Sequence, residues 1–172
     1  MGSKIKIAFD LDGIFVDKPP LVPKKVIEYL FKGRCKDVGQ LYYRFPKNTI
    51  EQKIRILSHF YLLRPVIKKN TNLLLYFKKN GGGRLYLISS RYSFLKKATF
   101  IWLKKRGILN CFEKIILNTN DLQPHLFKEK YLNKIKPSFY FEDDYSTSSY
   151  LQKKCPGVKV IFVAKKRLLL PL

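Results

Sequence analysis

The feature that most constrains the fold is an alternation of apolar strands and helices after the glycine run at residues 81–83. The pattern predicts, in chain order, the strand RLYLISS, the helix SFLKKATFIWLKKRG, the strand FEKIILN, the helix HLFKEKYLNKI and the strands SFYFED and VKVIFV. An earlier strand, KIKIAFD, ends at Asp10. Parallel strands need crossover connections, which are usually helices and almost always right-handed. The alternation therefore predicts a parallel sheet covered by helices on both faces.

A helical segment interrupts this pattern between the first strand and the glycines. Three helices are predicted there, in VPKKVIEYLFKG, NTIEQKIRILSHFYLL and RPVIKKNTNLLLYFKKNGGG. The apolar residues of the second helix fall on one face, namely Ile50, Ile54, Leu57, Phe60 and Tyr61. An insertion that returns to the same sheet indicates a small additional unit beside the main domain.

Polar residues follow three of the predicted strands, as DLDG, SSR and EDD. In parallel sheets, ligands bind outside the carboxyl ends of the strands. The chain has only 12 acidic residues, and half of them lie in the two longer stretches AFDLDGIFVD and FYFEDD: Asp10, Asp12, Asp17, Glu142, Asp143 and Asp144. Clustered carboxylates repel one another unless a cation lies between them. The pattern therefore predicts a metal at this edge of the sheet.

Composition limits the cellular context and the partners. The length of 172 residues fits one domain, and the formal net charge of +23 favours an anionic partner without identifying it. No apolar run reaches the roughly 20 residues of a membrane helix, and no signal peptide pattern is visible, so we expect a cytoplasmic protein with no membrane partner. The three cysteines are widely spaced and are read as reduced structural thiols. Both histidines, His59 and His125, are read as structural or surface residues.

Four short motifs in this order resemble those of the haloacid dehalogenase-like (HAD) superfamily of hydrolases. AFDLDG matches the first motif, and LYLISS followed by Arg91 matches the second, with Ser89 at the motif position. A lysine in the predicted helix before the fourth motif matches the third; Lys128 fits best and Lys130 is the alternative. FYFEDD matches the fourth motif. The resemblance covers the chain from Lys4 to about Val163.

The resemblance implies a Rossmann-like three-layer α/β/α parallel sheet with a small helical cap inserted after the first strand. The core domain would comprise residues 1–17 and 65–172, and the cap residues 18–64. In the cap, residues 42–45 (YYRF) are either the cap's own core or contacts to the substrate, and the first interpretation is favoured.

The chemistry of these residue types suits phosphoryl transfer. A carboxylate nucleophile forms an aspartyl-phosphate and divides one difficult step into two. Asp10 is the predicted nucleophile, and Asp12 the acid that protonates the leaving alcohol and then activates water. Ser89 and Lys128 complete the predicted catalytic set around the phosphoryl group. Asp12 also favours a phosphatase over the dehalogenases of the family, which have no acid there.

Two further groups of residues belong to this prediction. Ser90 and Arg91 are predicted to bind the substrate. Mg²⁺ is the predicted cofactor, and its predicted ligands are Asp10, Asp12 through its backbone carbonyl, Asp143 and Glu142, with Asp144 in reserve.

The predicted function is a Mg²⁺-dependent phosphomonoesterase acting on a small anionic phosphorylated metabolite such as a nucleotide. The pattern looks most like the small-capped phosphatase and nucleotidase branches of the family. The alternative from a different class is a basic nucleic-acid-binding protein, or a phosphatase that acts on nucleic-acid ends. The sequence does not distinguish nucleotide from phosphosugar and leaves the oligomeric state open.

Overall fold

A five-stranded parallel sheet forms the centre of the molecule. The computed structural model describes residues 4–19, 41–164 and 167–168. The strands are β1 (Lys6–Phe9), β2 (Arg84–Tyr92), β3 (Lys114–Asn118), β4 (Phe139–Glu142) and β5 (Lys159–Phe162). Their spatial order is β3-β2-β1-β4-β5, so β1 lies in the middle of the sheet and is paired on both edges.

Helices cover both faces of the sheet. The described helices are α1 (Thr49–Ser58), α2 (Lys68–Lys79), α3 (Lys96–Lys105), α4 (Pro124–Ile135) and α5 (Tyr145–Lys154). On one face, Phe9 and Leu87 pack in a cluster with Leu74 of α2 and Trp102 of α3. On the other face, a second cluster joins the sheet to α4 and α5; it includes Ala8, Ile88, Phe127, Leu132, Tyr140 and Leu151. The predicted three-layer α/β fold is confirmed.

The helices differ from the sequence prediction in two places. Helix α5 was not predicted, because its sequence YSTSSYLQKK has few apolar residues and several serines and threonines that favour other conformations. Helix α1 was predicted, but its apolar face is exposed: Ile50 is 66% exposed and Leu57 64%. The helix instead buries Arg55, whose guanidinium donates to Glu51 one turn earlier at 2.8 Å. A charged side chain can be buried there because it is paired.

The two ends of the predicted cap insertion lie side by side. Val16 pairs with Val66 in an antiparallel bridge, and the backbone N–H of Asp17 donates to the carbonyl of Pro65 at 2.8 Å. Residues 20–40, with the first of the three helices predicted before the glycines, lie outside the described residues. The division into core and cap at residues 18–64 stays a prediction.

Among the described residues, no helix is both long enough and apolar enough to cross a membrane.

Candidate active site

Three carboxylates meet where two neighbouring strands end. Asp10 directly follows β1, Glu142 is the last residue of β4, and Asp143 is the next residue along the chain. The backbone N–H of Asp10 donates to the carbonyl of Phe141 at 3.0 Å, which fixes the two strand ends to each other. One oxygen atom from each carboxylate lies within 4.8 Å of the others. The strand-end pattern in the sequence therefore corresponds to one cluster of oxygen donors.

Gly13 allows Asp143 to join this cluster. Its φ angle is +74°, a left-handed conformation that favours glycine. A Cβ atom at this position would overlap the carboxylate of Asp143. The turn after Asp12 thus leaves room for a carboxylate that any other residue at position 13 would displace.

Lys128 of α4 bridges the carboxylates. Its Nζ donates to Oδ2 of Asp10 at 3.1 Å and to Oε2 of Glu142 at 2.7 Å, and the lysine is only 3% exposed. Lys130, the alternative candidate, is exposed and lies 6.0 Å from the ring centre of Tyr131. The geometry therefore places Lys128, and not Lys130, at the site.

Glu142 is held from both of its oxygens. Besides Lys128, the hydroxyl of Tyr140 donates to Oε2 at 3.0 Å, and the backbone N–H of Asp144 approaches Oε1 at 3.3 Å. These contacts orient Glu142 toward Lys128, whereas the described hydrogen bonds include none to the carboxylate of Asp143. Asp143 is therefore the more available oxygen donor of the two.

The electrostatics of this cluster favour a cation. Burial, with further contributions from neighbouring carboxylates, raises the pKa of Asp10 to about 7 and that of Asp143 to about 8. Burial alone would lower the pKa of Lys128, but Asp10 and Glu142 outweigh it and raise that pKa well above its usual value. Three carboxylates with one ammonium leave two negative charges uncompensated when all are ionised. A divalent cation would balance them, and hard cations such as Mg²⁺ prefer oxygen donors of this kind.

Asp12 has the opposite environment, although it lies only two residues from Asp10. Arg91 binds its carboxylate with two contacts, from Nε to Oδ2 and from Nη2 to Oδ1, both at 2.7 Å. Arg64 adds a third, from Nη2 to Oδ1 at 2.5 Å. Burial opposes ionisation of Asp12, but the charges of Arg91 and then Arg64 prevail and hold its pKa well below the usual range. The side chain of Asp12 is therefore oriented by the protein itself.

Both arginines are fixed by the core. Arg91 Nη1 donates to the hydroxyl of Thr99 on α3 at 3.2 Å. The carbonyl of Arg64 accepts from the indole N–H of Trp102 at 2.8 Å, and Trp102 is fully buried. Arg64 is the last residue of the predicted cap. Its carbonyl is bound to α3, and its guanidinium is bound to Asp12.

The two serines of the second motif are placed differently. Ser89 is 1% exposed, and its Oγ accepts from the backbone N–H of Arg91 at 3.5 Å. Ser90 and Arg91 line the cavity beside the carboxylates, whereas Ser89 is not among its lining residues. The roles of all these side chains stay predictions.

These groups face a cavity of about 500 Å³. Its lining combines acids and cations with side chains that are mostly aromatic or hydroxyl-bearing; it includes Asp10, Asp12, Lys18, Tyr43, His59, Arg64, Arg91, Lys128, Asp143, Tyr145 and Phe162. A cavity of this size suits a small ligand.

Residues 43–45, which belong to the predicted cap, contact the core beside this cavity. The side-chain amide of Gln123 accepts from the backbone N–H of Tyr43 at 3.0 Å and donates to its carbonyl at 3.2 Å. The ring of Phe45 packs edge to face on Tyr92, with centroids 5.0 Å apart. Residue 43 therefore forms part of the cavity wall and not only of the cap.

Sequence reasoning missed Arg64, His59 and Gln123 at this site. Arg64 and Asp12 are 52 positions apart, and no local pattern signals their contact. The RPV stretch at the end of the insertion marks the place in the chain, but an arginine there does not reveal its partner. His59 was read as structural or surface; the structure buries it in the cavity wall, where burial, followed by the charge of Arg91, lowers its pKa to about 3.

No protein-family model and no curated protein matches the chain. Its structure is similar to that of SP0104, a haloacid dehalogenase-like hydrolase from Streptococcus pneumoniae, with a TM-score of 0.58 and 16% identity over 94% of this chain and 85% of that one. It is also similar to a candidate phosphatase from Clostridium difficile, with a TM-score of 0.60 and 16% identity over 95% of this chain and 86% of that one.

A third similar structure is the HAD family enzyme BT-2542 from Bacteroides thetaiotaomicron, in complex with magnesium and inorganic phosphate. Its TM-score is 0.55, at 16% identity over 94% of each chain. Likeness at such identities shows the fold and not the activity. The chain therefore has the fold of the haloacid dehalogenase-like hydrolases.

Proposed function

We propose that the protein is a metal-dependent phosphomonoesterase that uses Asp10 as its nucleophile. The observation that carries the proposal is the cluster of Asp10, Glu142 and Asp143 around Lys128, at the strand ends of this fold and open to a cavity. The similarity to BT-2542, solved with magnesium and phosphate, supports the same chemistry. Mg²⁺ held by Asp10 and Asp143 would neutralise the carboxylates and polarise the phosphoryl group.

Asp10, Lys128 and Asp12 have separate roles in the proposed reaction. The Asp10 carboxylate attacks phosphorus and forms an aspartyl-phosphate as the alcohol leaves. Lys128 orients Asp10 and stabilises the charge that spreads over the phosphoryl oxygens. Asp12, oriented by Arg91, faces the same cavity, and because its pKa is held well below the usual range it is placed to accept the proton of the attacking water, whereas the leaving oxygen takes its proton from solvent. Water then releases inorganic phosphate and restores Asp10.

The substrate is proposed to be a small phosphorylated metabolite such as a nucleotide. Three cations that line the cavity, Arg64, Arg91 and Lys18, support an anionic ligand. The net charge of +23 also favours longer anions, so a phosphate at a nucleic-acid end is the alternative substrate.

The test compares Asp10→Asn with wild type in the Mg²⁺-dependent hydrolysis of p-nitrophenyl phosphate. We expect turnover to fall by at least about 1000-fold, because the amide cannot act as the nucleophile. The fold should persist, since asparagine resembles the protonated carboxyl that burial favours. Glu113→Gln is the matched control, because Glu113 pairs with Arg84 at the surface, away from the cavity. Near-normal turnover by Asp10→Asn would contradict the assignment, and so would activity that survives full chelation of metal.

A further inference from the structure

Two exposed aromatic side chains line the cavity at the candidate active site. Tyr145 is 68% exposed and Phe162 is 40% exposed, and both belong to the cavity lining. Among the large hydrophobic side chains that are exposed in the described part of the chain, only these two line the cavity. Exposed apolar surface at a concave site indicates that a ligand covers it.

Both rings are close to the acids along the chain or across the sheet. Tyr145 is the first residue of α5 and lies two positions after Asp143. Phe162 is the last residue of β5 and pairs in register with Glu142 of the neighbouring strand. A group that contacts these rings can therefore be covalently linked to a phosphate at Asp10 by a short connection.

The two rings form one aromatic patch in the cavity lining. Their centroids are 5.5 Å apart and their planes meet at 81°, an edge-to-face contact that holds the rings relative to each other. Both rings nevertheless keep exposed surface. Exposed aromatic surface of this kind favours an aromatic partner, because contact between rings adds to the burial of area.

The charge around the cavity restricts the aromatic ligand further. Lys18 is exposed and lines the same cavity as the rings, and the whole chain carries a net charge of +23. A ligand that combines a planar ring with phosphate matches both properties. Nucleotides have this composition. The cavity volume of about 500 Å³ lies in the range found for pockets that bind small ligands.

We propose that Tyr145 and Phe162 bind the base of a nucleotide whose phosphate lies at Asp10, either a free nucleotide or the end of a strand. The inference rests on the proposed phosphatase function and names its substrate class. The rings act by binding and not in the chemical step, so their removal raises KM more than it lowers kcat.

The experiment compares adenosine monophosphate with ribose 5-phosphate, which has the phosphate and sugar but no base. For wild type we expect a higher kcat/KM with adenosine monophosphate. Tyr145→Leu should lower this preference about tenfold, mainly through KM, because base–aromatic stacking contributes at this level. Tyr145→Phe keeps the ring and should keep the preference.

The matched control is Tyr76→Leu, which removes a tyrosine of similar exposure, 61%, on α2 and outside the cavity lining. It should retain the wild-type preference. The proposal is overturned if wild type shows no preference, if Tyr145→Leu leaves the preference unchanged, or if the change appears in kcat alone.

A binding measurement separates this proposal from the phosphatase proposal. Titration calorimetry of adenosine monophosphate into Asp10→Asn should give a Kd about tenfold lower than into the double variant Asp10→Asn, Tyr145→Leu. If no phosphate ester is hydrolysed, the phosphatase proposal fails, and this Kd ratio alone decides the role of the rings. Equal Kd values would overturn the role of the rings even if the enzyme is active.

The source of the nucleotide is distinguished with single-stranded oligonucleotides that carry a phosphate at the 5′ or the 3′ end. A kcat/KM above that of adenosine monophosphate, falling steeply with salt, identifies a strand end. A higher kcat/KM for the free nucleotide, with little salt dependence, identifies a mononucleotide. Failure of both to exceed ribose 5-phosphate contradicts the proposal.

Discussion

The two aspartates of the DLDG turn are neighbours in sequence, yet the protein surrounds them with opposite charge ratios. Around Asp10, within the part of the chain that the structure describes, three carboxylates share the ammonium of Lys128. Around Asp12, two guanidiniums share a single carboxylate. The group around Asp10 (the acid side) is therefore deficient in positive charge, whereas the group around Asp12 (the arginine side) has a surplus of it.

This difference separates two ways to build a reactive carboxylate. Asp12 is oriented by arginines whose own positions are fixed by α3, so its geometry does not depend on a ligand. Asp10 and Asp143 have pKa values raised to about 7 and about 8, so burial disfavours the charge that the proposed chemistry needs. We infer that Asp10 and Asp143 are both ionised only when a cation is bound, whereas Asp12 is ionised without one.

Among the variants that test this comparison, the largest effect is expected from removing the only cation described beside Asp10. Lys128→Met should lower turnover of p-nitrophenyl phosphate by about 100-fold or more, comparable to the loss of another preorganised electrostatic group. Lys130→Met is the matched control on the same helix, because Lys130 is exposed.

Circular dichroism shows whether Lys128→Met still folds, since the variant leaves buried carboxylates unpaired. Lys128→Arg restores a cation and should recover the fold if charge alone was missing. Loss of turnover in Lys130→Met but not in Lys128→Met would reverse the assignment of the third motif.

An intermediate effect is expected on the arginine side. Arg91 contacts Asp12 at two points, and a lysine cannot imitate this geometry. Arg91→Lys therefore leaves at most a single contact. Turnover should fall about tenfold to 100-fold, because small errors in position are costly in catalysis. Arg64→Lys should cost less, since Arg64 makes one contact to Asp12. The measurement is kcat at saturating substrate for both variants, and an equal or larger loss in Arg64→Lys would contradict this ranking.

The smallest effect concerns stability and its dependence on pH. The folded-state pKa values of Asp10 and Asp143 lie above the ordinary value of 3.8, so these two carboxyls hold more protons in the folded protein than in the unfolded chain between about pH 4 and pH 8. Stability of the metal-free protein should therefore fall as pH rises through this window. Asp12, whose pKa is lowered, contributes a slope only below about pH 5. His59, whose pKa burial lowers to about 3, acts in the opposite direction below about pH 6.5 and offsets part of the loss there.

Mg²⁺ should counteract this loss, because it binds the ionised carboxylates. At ten times its Kd the ion adds about 1.4 kcal/mol, which corresponds to a rise in Tm of about 3 to 6 °C. Differential scanning fluorimetry at pH 5 and pH 8 measures it, with Asp143→Asn as the comparison. A rise at pH 5 equal to that at pH 8, or an undiminished rise in Asp143→Asn, would show that these carboxylates do not hold the ion.

The acid side could be predicted from the sequence because the apolar pattern of a strand shows where the strand ends. Asp10 and Glu142 each close an apolar strand, and the rule that parallel strands end at one edge brings them together. Lys128 followed from the helix that precedes the fourth motif. The acids were therefore predictable from local patterns combined with one topological rule, whereas Lys128 was predicted from the family resemblance.

The arginine side and the cavity wall were not accessible in the same way. Contact between Arg64 and Asp12 depends on how the insertion returns to the sheet, which no periodicity encodes. Helix α1 shows the same limit, because its apolar spacing predicted a buried face, yet Arg55 is buried and Ile54 is 57% exposed. Spacing identifies the residues that share a face but not the surface that the face meets.

The pairing of Gln123 with residue 43 has a consequence for how the cavity can change. The amide contacts only the backbone N–H and carbonyl of Tyr43, as a neighbouring strand would. These two hydrogen bonds therefore do not depend on which side chain position 43 carries, provided that its N–H remains. Because Tyr43 also lines the cavity, a substitution at this position can alter the shape of the ligand space while both hydrogen bonds to Gln123 are kept.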